Sequence, residues 1–548
     1  MSFSETGNLG SLREAECFEQ ELATRCKLFE GALIIPMKCC RCLSSSSHDE
    51  CIRLGNCIAS ILGNEQCRPL QIGLIRFSPD QHNKTICSEM IPIVIPAVIG
   101  KITKFMNATV WIDCGSTTSG HLLRGTQSEE ACEKEFRLLG QALGHKHCSV
   151  RLIWLFESPV SLFSAFMEGL CSACEGAGGS RPARQWDITV KRRESDGRDW
   201  PLLERLMRSP CRPVECLNLM CLQIGSSPYT ADTGDRHPST TPPSLKQDYH
   251  EWIQHLKEFK LSEKYAPWPD EARAKFITGI VKALDQKGNK LREIRLELAG
   301  PVPDDVDFYS GWASPHSNLR ELRFESTEAW DDSRFVESIV RALNDRPGMI
   351  HSFACESSSM IKDETLETLA GAMRNPNNRM VAITLGPHGR ISTDRSPPAI
   401  RGWESFFQAL SACKHPRLYH LVITCDLDDD FYNALAESLL SPNNTITNLA
   451  LFSHLLYPRY NDLPPMMKRA LRRSNLQVVS LHIGRGVSRT YFQGTVAPWF
   501  FVLIALTTVQ HIPRLALPAA SNTFRSFPMN EFLLRIVQTL GWELDRLK

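Results

Sequence analysis

The chain has 548 residues, its 62 Lys and Arg residues nearly balance 61 Asp and Glu residues, and 42% of its residues are hydrophobic. A net charge of +1 excludes a strong positive field over the whole chain, so nucleic-acid binding is not expected as its main task, although a local basic patch stays open. The 20 cysteines fall well below the density of a disulfide scaffold, and the length allows several domains or one long solenoid.

The first segment, residues 1–48, shows the weakest pattern, and we expect it to be poorly ordered. Its opening residues lack the apolar core of a secretory signal, which predicts a reducing compartment, cytoplasmic or nuclear. A zinc site would combine Cys39 and Cys42 with Cys51 and Cys57. The second pair is spaced C-x5-C on an apolar helix face, which is poor ligand geometry, so no metal is expected.

Residues 49–223 alternate predicted helices and strands in a weak repeat. The central apolar residues of three strands, Ile153, Ile188 and Leu217, are 35 and 29 residues apart. This spacing predicts degenerate repeats of one solenoid. A separate α/β domain is the alternative, because strands that alternate with helices also describe that class.

Two motifs in this segment resemble functional motifs, a phosphate-binding loop and a redox cysteine pair, but each departs from what that chemistry requires. A predicted strand, Thr109–Asp113, is followed at Gly115–Gly120 by the G-x-x-x-x-G spacing of a phosphate-binding loop, but His121 stands where that loop needs Lys. The pair Cys171 and Cys174 lies inside a predicted helix, whereas a redox C-x-x-C motif opens a helix. We therefore expect no nucleotide, no cofactor and no catalytic residue.

Residues 224–248 interrupt the repeats. The stretch is rich in Pro, Ser, Thr and Asp and has almost no apolar residues. This composition predicts a disordered or exposed insertion, because too little apolar surface is available to form a core. A phosphorylated tether is the functional alternative to a tolerated surface insertion.

The repeats are clearest in residues 249–520. Phe431–Leu451 shows the unit, with Phe431, Leu435 and Leu439 on one helix face, a Pro-Asn-Asn turn and a strand of L-x-x-L-x-L spacing. Eight such strands align on their central apolar residue at intervals of 28 to 38 residues; these anchors are Ile294, Leu322, Phe353, Ile383, Leu421, Leu449, Val479 and Leu515. This period predicts a solenoid, because one unit cannot bury its apolar face alone.

The unit, a helix, an Asn-containing turn and an L-x-x-L-x-L strand, resembles the leucine-rich repeat of the ribonuclease-inhibitor type over about residues 270–520. The resemblance implies an α/β solenoid, a horseshoe with parallel strands on its concave face and helices on its convex face. The Asn or Cys that usually closes the strand is often missing, which departs from the family's regular pattern. A helix within residues 521–548 is expected to cap the open end.

Outward strand positions are the candidate binding residues, because side chains between the apolar anchors would face the inside of the horseshoe. Ten positions are selected: Trp111, Trp154, Lys191, Arg295, Glu297, Arg323, Glu325, Thr424, Phe452 and His482. The two tryptophans could anchor a partner as aromatic hot spots or pack on a neighbouring strand. The Arg and Glu residues could contact a partner or form cross-strand charge pairs.

Two apolar runs, Met90–Ile99 and Trp499–Leu506, are far shorter than the about 18–20 residues that cross a bilayer. We therefore expect buried core at both and no membrane contact.

These observations predict a non-enzymatic, monomeric scaffold that binds protein partners on its concave face. Fold alone does not select the partner. The resemblance leaves two alternatives, a substrate-recognition subunit of a ubiquitin ligase and a regulator of GTPases or other enzymes. Residues 12–43 lack the leucine-proline opening that an F-box would show.

Overall fold

The computed structural model describes residues 7–25, 28–35, 46–75, 86–102, 109–112, 123–124, 128–144, 148, 150–156, 160–175, 185–191, 199–211, 213–220, 249–263, 268–302, 306–326, 333–346, 348–357, 361–387, 400–412, 418–424, 429–453, 464–476, 478–483 and 514–515. The chain divides into two compact units, Met1–Phe276 and Ile277–Lys548.

Strands and helices alternate along the first unit. The elements in chain order are β1 (Gly7–Asn8), α1 (Leu12–Arg25), β2 (Ala32–Ile34), α2 (Ser46–Gly63), β3 (Gln71–Ile75), β4 (Ile86–Cys87), α3 (Ile91–Ile102), β5 (Thr109–Ile112), β6 (Leu123–Arg124), α4 (Glu129–Leu143), β7 (Leu152–Phe156), α5 (Val160–Glu175), β8 (Trp186–Lys191), α6 (Asp199–Met207), β9 (Val214–Met220), α7 (His250–Ile253), β10 (Glu258–Ser262) and α8 (Asp270–Asp285), within which the division falls. Strands β1, β2, β3, β5, β7, β8, β9 and β10 pair in that order and are parallel, whereas β4 pairs with β6.

The second unit continues the alternation. Its elements are β11 (Glu293–Leu298), α9 (Phe308–Trp312), β12 (Glu321–Ser326), α10 (Ser333–Asp345), β13 (Ser352–Ser357), α11 (Asp363–Arg374), β14 (Ala382–Pro387), α12 (Ile400–Ala412), β15 (His420–Thr424), α13 (Asp429–Leu440), β16 (Asn448–Ser453), α14 (Pro465–Arg473), β17 (Val478–Ile483) and β18 (Arg514–Leu515). Strands β11 to β18 pair in chain order and are parallel. Both units are therefore built as an α/β solenoid, in which successive strands lie side by side.

The eight predicted anchors of the second unit lie directly opposite one another on neighbouring strands, from Ile294 on β11 to Leu515 on β18. The six anchors from Ile294 to Leu449 are at most 1% exposed. Phe324, two residues after an anchor, packs its ring 4.4 Å from that of Phe335 on α10. The anchor side of the sheet therefore packs against the helices, and the predicted repeats are confirmed.

The weaker repeats of the first unit follow the same rule. Ile153, Ile188 and Leu217 lie opposite one another on β7, β8 and β9. The row continues to Val110 on β5 and to Phe259 on β10, and all five side chains are buried. The predicted alignment of the three anchors is confirmed. Phe259 is the corresponding anchor on β10, which lies in the sequence between the strands of Leu217 and Ile294.

Regular structure also begins earlier than the sequence indicates. The sequence predicts poor order for residues 1–48, whereas the described part of this segment contains β1, α1 and β2. Leu9, Ala15 and Leu33 are fully buried there. Strands of two and three residues carry too little alternation to be recognised. They are ordered by pairing, β1 with β2 and β2 with β3. The predicted insertion, residues 224–248, and the predicted cap, residues 521–548, lie outside the described residues.

Asparagine closes two of the turns between a helix and the following strand. Asn289 and Asn444 each stand five residues before an anchor, and their Nδ2 atoms donate to carbonyl groups five residues earlier, Leu284 O at 2.9 Å and Leu439 O at 3.2 Å. The Oδ1 atom of Asn444 also accepts from the backbone N–H of Ile446 at 3.0 Å. Both amides are buried. Each one satisfies a carbonyl group that the helix end leaves unpaired.

Helices α4 and α5 approach each other unusually closely in the first unit. A Cβ atom on Gly140 would lie 2.2 Å from the carbonyl oxygen of Phe166, and one on Gly169 would lie 2.1 Å from that of Arg137. These contacts leave room only for hydrogen at both positions. The Arg137 side chain also pairs with Glu168 across the two helices at 2.9 Å.

Among the described helices, none is long and apolar enough to cross a membrane. The apolar run Met90–Ile99 lies mostly within α3, where Ile91, Val94, Ile95 and Val98 are buried, as predicted for core. The run Trp499–Leu506 lies outside the described residues.

Candidate interaction surface on the sheet

The outer face is defined here as the sheet face that carries the side chains alternating with the buried anchors. In the second unit, the register aligns Arg295, Arg323, Ala354, Thr384 and Val422 into one row. A second row contains Glu297, Glu325, Glu356 and Gly386. Residues that are far apart in sequence therefore become neighbours on one surface.

Like charges lie directly opposite each other in these rows, since Arg295 faces Arg323 and Glu297 faces Glu325. The opposite charges meet diagonally instead. The guanidinium of Arg323 lies 2.8 Å from the carboxylate of Glu356 on the next strand and 3.8 Å from that of Glu325 on its own strand. The predicted charge pairing between strands therefore occurs, with Glu356 as a partner that the sequence did not select.

The glutamates of the second row are more buried than an ordinary surface charge. Glu297, Glu325 and Glu356 are 8%, 3% and 9% exposed, whereas the side chain of Arg323 is 36% exposed. Carboxylates in such positions need partners, because burying an unpaired charge is unfavourable. The arginines, rather than the glutamates, are consequently the more accessible charges of this surface.

Trp111 and Trp154 form the aromatic part of the outer face in the first unit. They lie opposite each other on β5 and β7, and their ring centroids are 6.2 Å apart in an edge-to-face arrangement. Both side chains are half-buried. A Cβ atom on Gly73, the adjacent residue on β3, would lie 3.8 Å from the Trp111 ring. The pair therefore packs within the sheet and still presents surface to solvent.

The four other predicted residues are placed through their backbone. Thr424, Phe452 and His482 lie opposite one another on β15, β16 and β17, so they form one row as the repeat spacing predicts. Lys191 lies at the end of β8, opposite Phe156 and Met220. The ten predicted positions thus fall into several groups and do not form one compact site.

The cysteine motifs show no nucleophilic character where the structure describes them. Cys171 and Cys174 are buried inside α5. Burial raises the pKa of Cys171 to about 12, while a hydrogen bond with Cys211 and burial raise the pKa of Cys174. Such thiols stay protonated near neutral pH, and the thiolate is the reactive form.

The proposed zinc ligands are only partly described. Cys51 and Cys57 are buried on α2, and the Cys57 thiol donates to a Glu19 carboxylate oxygen at 3.2 Å. Cys39, Cys42 and the glycine motif at 115–120 lie outside the described residues. Across the described ranges, no group of three or more His, Cys, Asp or Glu side chains is arranged to hold a metal ion.

The structure contains a second candidate surface that the sequence analysis did not predict. It is a groove of about 620 Å³ at the amino-terminal ends of β12, β13 and β14, lined by Arg320, Arg346, His351 and Arg379 among others. A signal existed in the sequence, because Arg292, Arg320 and His351 each stand two positions before an anchor. These positions precede the strand, whereas the predicted binding positions lie between the apolar anchors of the strand.

Comparison with protein-family models finds no match for this chain. Comparison with curated proteins finds no match either. The solenoid architecture is therefore supported by the register and burial of the chain itself.

Proposed function

We propose that the chain is a leucine-rich-repeat scaffold of the ribonuclease-inhibitor type that binds a protein partner through the outer face of its sheet. Support for the family comes from the unit itself, one helix, one Asn-containing turn and one L-x-x-L-x-L strand, repeated at intervals of 28 to 38 residues. The proposed role is non-enzymatic and is placed in the cytoplasm or nucleus.

The stacked outer face is the observation that carries this proposal. Within each unit, parallel pairing aligns separate strand positions into rows, which can offer a partner a continuous surface. Trp111 and Trp154 are its strongest candidate anchors, because half-buried tryptophans add large apolar area at little conformational cost. The ubiquitin-ligase and enzyme-regulator alternatives stay predictions, since no described residue favours either.

The test is affinity purification followed by mass spectrometry with the full chain, comparing wild type with Trp154→Ala, Trp154→Phe and Thr189→Ala. Trp154 and Thr189 lie opposite each other in the same row, so Thr189→Ala is a matched control. We expect Trp154→Ala to lose at least one specific partner, Trp154→Phe to keep part of the binding, and Thr189→Ala to keep all of it.

Thermal unfolding of each variant separates binding from folding. If Trp154→Ala folds normally and captures the same partners as wild type, the tryptophan pair is structural only and this proposal loses its main support. The same purification with a Trp111→Ala variant then tests whether the other half of the pair contributes.

A further inference from the structure

The groove at the amino-terminal edge of β12, β13 and β14 is built by the repeat itself. The backbone N–H of His351 donates to Arg320 O at 2.7 Å, and that of Val381 donates to His351 O at 2.7 Å. These bonds place the residues before three successive strands side by side. Arg379 precedes Val381 by two residues, and Arg346 follows directly after α10, so both reach the same edge.

Positive charge in this groove is poorly balanced. Arg320 and Arg379 are exposed, and neither has a salt-bridge partner within the part of the chain that the structure describes. Arg346 is half-buried and donates to a backbone carbonyl at 3.5 Å. The groove's one acidic lining residue, Asp345, already accepts a hydrogen bond from the Tyr309 hydroxyl. Three guanidinium groups therefore share the groove with one engaged carboxylate.

The groove lining also contains amide side chains. Asn318, Asn375 and Asn377 all line the groove. The Nδ2 atom of Asn318 donates to Asn289 O at 2.7 Å, whereas Asn377 is exposed. Apart from the imidazole of His351, the lining residues carry no aromatic ring on which a nucleobase could stack. The lining favours peptide groups over nucleic-acid bases.

We propose that this groove binds an acidic peptide segment of a partner protein, with Arg320, Arg346 and Arg379 pairing with its carboxylates. A guanidinium group matches a carboxylate with two parallel hydrogen bonds, and arginine clusters are a recurring means of reading acidic segments. Exposed amides such as Asn377 supply donors and acceptors for the peptide backbone. The groove's volume lies within the range of ligand-binding clefts.

This second surface does not depend on the outer face. It lies at the strand ends, whereas Trp111, Trp154 and the charged rows lie along the strands. Loss of partner binding through the tryptophans would leave the groove and its charges unchanged.

Fluorescence anisotropy of a labelled hexaglutamate peptide, titrated with the full chain at low and high salt, tests the proposal. We expect saturable binding that weakens several-fold at high salt, because charge pairing at an open surface is screened. Arg320→Gln and Arg379→Gln should each weaken binding about tenfold, as expected for loss of a charge-assisted hydrogen bond. Both side chains lack salt-bridge partners among the described residues, so both variants should melt at the wild-type temperature.

Arg401→Gln is the matched control. It removes one arginine charge from the second unit at a side chain that is 82% exposed and pairs with Glu367, and it should leave peptide affinity unchanged. The proposal is overturned if hexaglutamine binds as well as hexaglutamate, or if neither arginine variant changes affinity. The proposal is also overturned if an RNA oligomer or a phosphoserine peptide binds more tightly than hexaglutamate and this binding depends on the same arginines.

Discussion

The two units follow one repeat plan but maintain it by different means. In the second unit, pairing from β11 to β18 runs without a register shift among the described residues. In the first unit, the register shifts between Gly73 and Ile75 and again between Trp186 and Asp187. Regular spacing therefore aligns the second unit without interruption, whereas the first unit accommodates two register shifts within the same repeat.

The contacts of the first unit are chemically specific. A buried ion pair joins Arg273 to Glu263 at 2.9 Å, with side chains only 2% and 0% exposed. Helices α4 and α5 meet at Gly140 and Gly169 without room for a side chain. The second unit also has close contacts at glycines, since a Cβ atom on Gly402 would lie 2.7 Å from Asp363 Oδ1. Its helices otherwise repeat an apolar face, such as Phe335, Ile339 and Leu343 on α10. Single substitutions at these buried contacts should therefore cost more stability than substitutions at exposed positions.

The largest effect is expected for Arg273→Ala. Its guanidinium also donates to Asp270 at 2.6 Å and to the carbonyl oxygen of Trp268 at 2.8 Å. The change therefore removes both of these bonds and the positive charge that pairs with buried Glu263. We expect the free energy of unfolding to fall by about 3–5 kcal/mol in chemical denaturation.

Lys275→Ala, two residues further along α8, is the control for that experiment. Its ion pair with Glu271 joins side chains that are 40% and 69% exposed, so we expect a change of at most about 0.5 kcal/mol. Equal losses of unfolding free energy in the two variants would show that the buried ion pair contributes no more to stability than the exposed one.

A second, smaller loss is expected for Gly140→Ala. The new methyl group would meet the Phe166 carbonyl oxygen, so the two helices must separate, and we expect unfolding to become easier by about 1–3 kcal/mol. Gly100→Ala on α3 is the matched control, because a Cβ atom there meets nothing within 4 Å. This control should stabilise the protein by up to about 1 kcal/mol, since Ala favours a helix over Gly. A melting temperature that rises in both variants would contradict the close approach of α4 and α5.

In the second unit, we expect a moderate effect for Asn444→Ala. The substitution removes the bonds to Leu439 O and from the Ile446 N–H and leaves a buried carbonyl unpaired. We expect a loss of about 1–2 kcal/mol, measured by urea denaturation. Asn443→Ala, at the exposed neighbouring position, removes only an exposed hydrogen bond to Ser411 O and should change stability by less than about 0.5 kcal/mol. If both variants lose the same amount, the buried amide is not what closes the turn.

Alkaline pH should give the smallest effect and should act on the first unit. Buried cysteines concentrate there among the described residues, for example Cys67, Cys132 and Cys148, whereas Cys355 is the buried example in the second unit. Burial raises the pKa of Cys67 from 9.0 to about 11. A thiol whose pKa is raised by folding stabilises the native state below pH 9.0, and this contribution is lost as pH rises towards about 11.

Unfolding of wild type and Cys67→Ala at pH 7 and pH 10 measures this contribution. We expect the wild type to lose about 1 kcal/mol more than the variant between the two pH values. Parallel losses would mean that Cys67 titrates at its ordinary pKa in the folded chain. The exposed thiol of Cys17 should remain open to alkylation throughout and serves as an internal reference.

Much of the fold was predictable because it depends on local periodicity. The alignment of Ile294, Leu322 and Phe353 follows from repeat length, and the buried face of α13 follows from the four-residue spacing of Phe431, Leu435 and Leu439. The short strands β1 and β2 were not predicted, because two or three residues contain too little alternation to stand out.

The candidate surfaces were predictable only in part. Outward strand positions follow from alternation, so the rows containing Trp154 and Arg323 could be expected. The pairing of Arg323 with Glu356 could not, because it is diagonal and 33 residues distant. The groove at Arg320 and Arg379 was also missed, since its walls come from turns that precede different strands.

The sequence by itself therefore determined the repeat, its anchors and the faces of its helices, since each of these is set by apolar residues a few positions apart. Tertiary structure alone decided which side chains meet across repeats. The ion pair of Arg323 with Glu356, the contact at Gly140 and the basic groove all depend on neighbours brought together by stacking. The physical reason is that periodicity encodes which side of an element is buried, whereas the identity of its neighbours depends on how successive repeats pack.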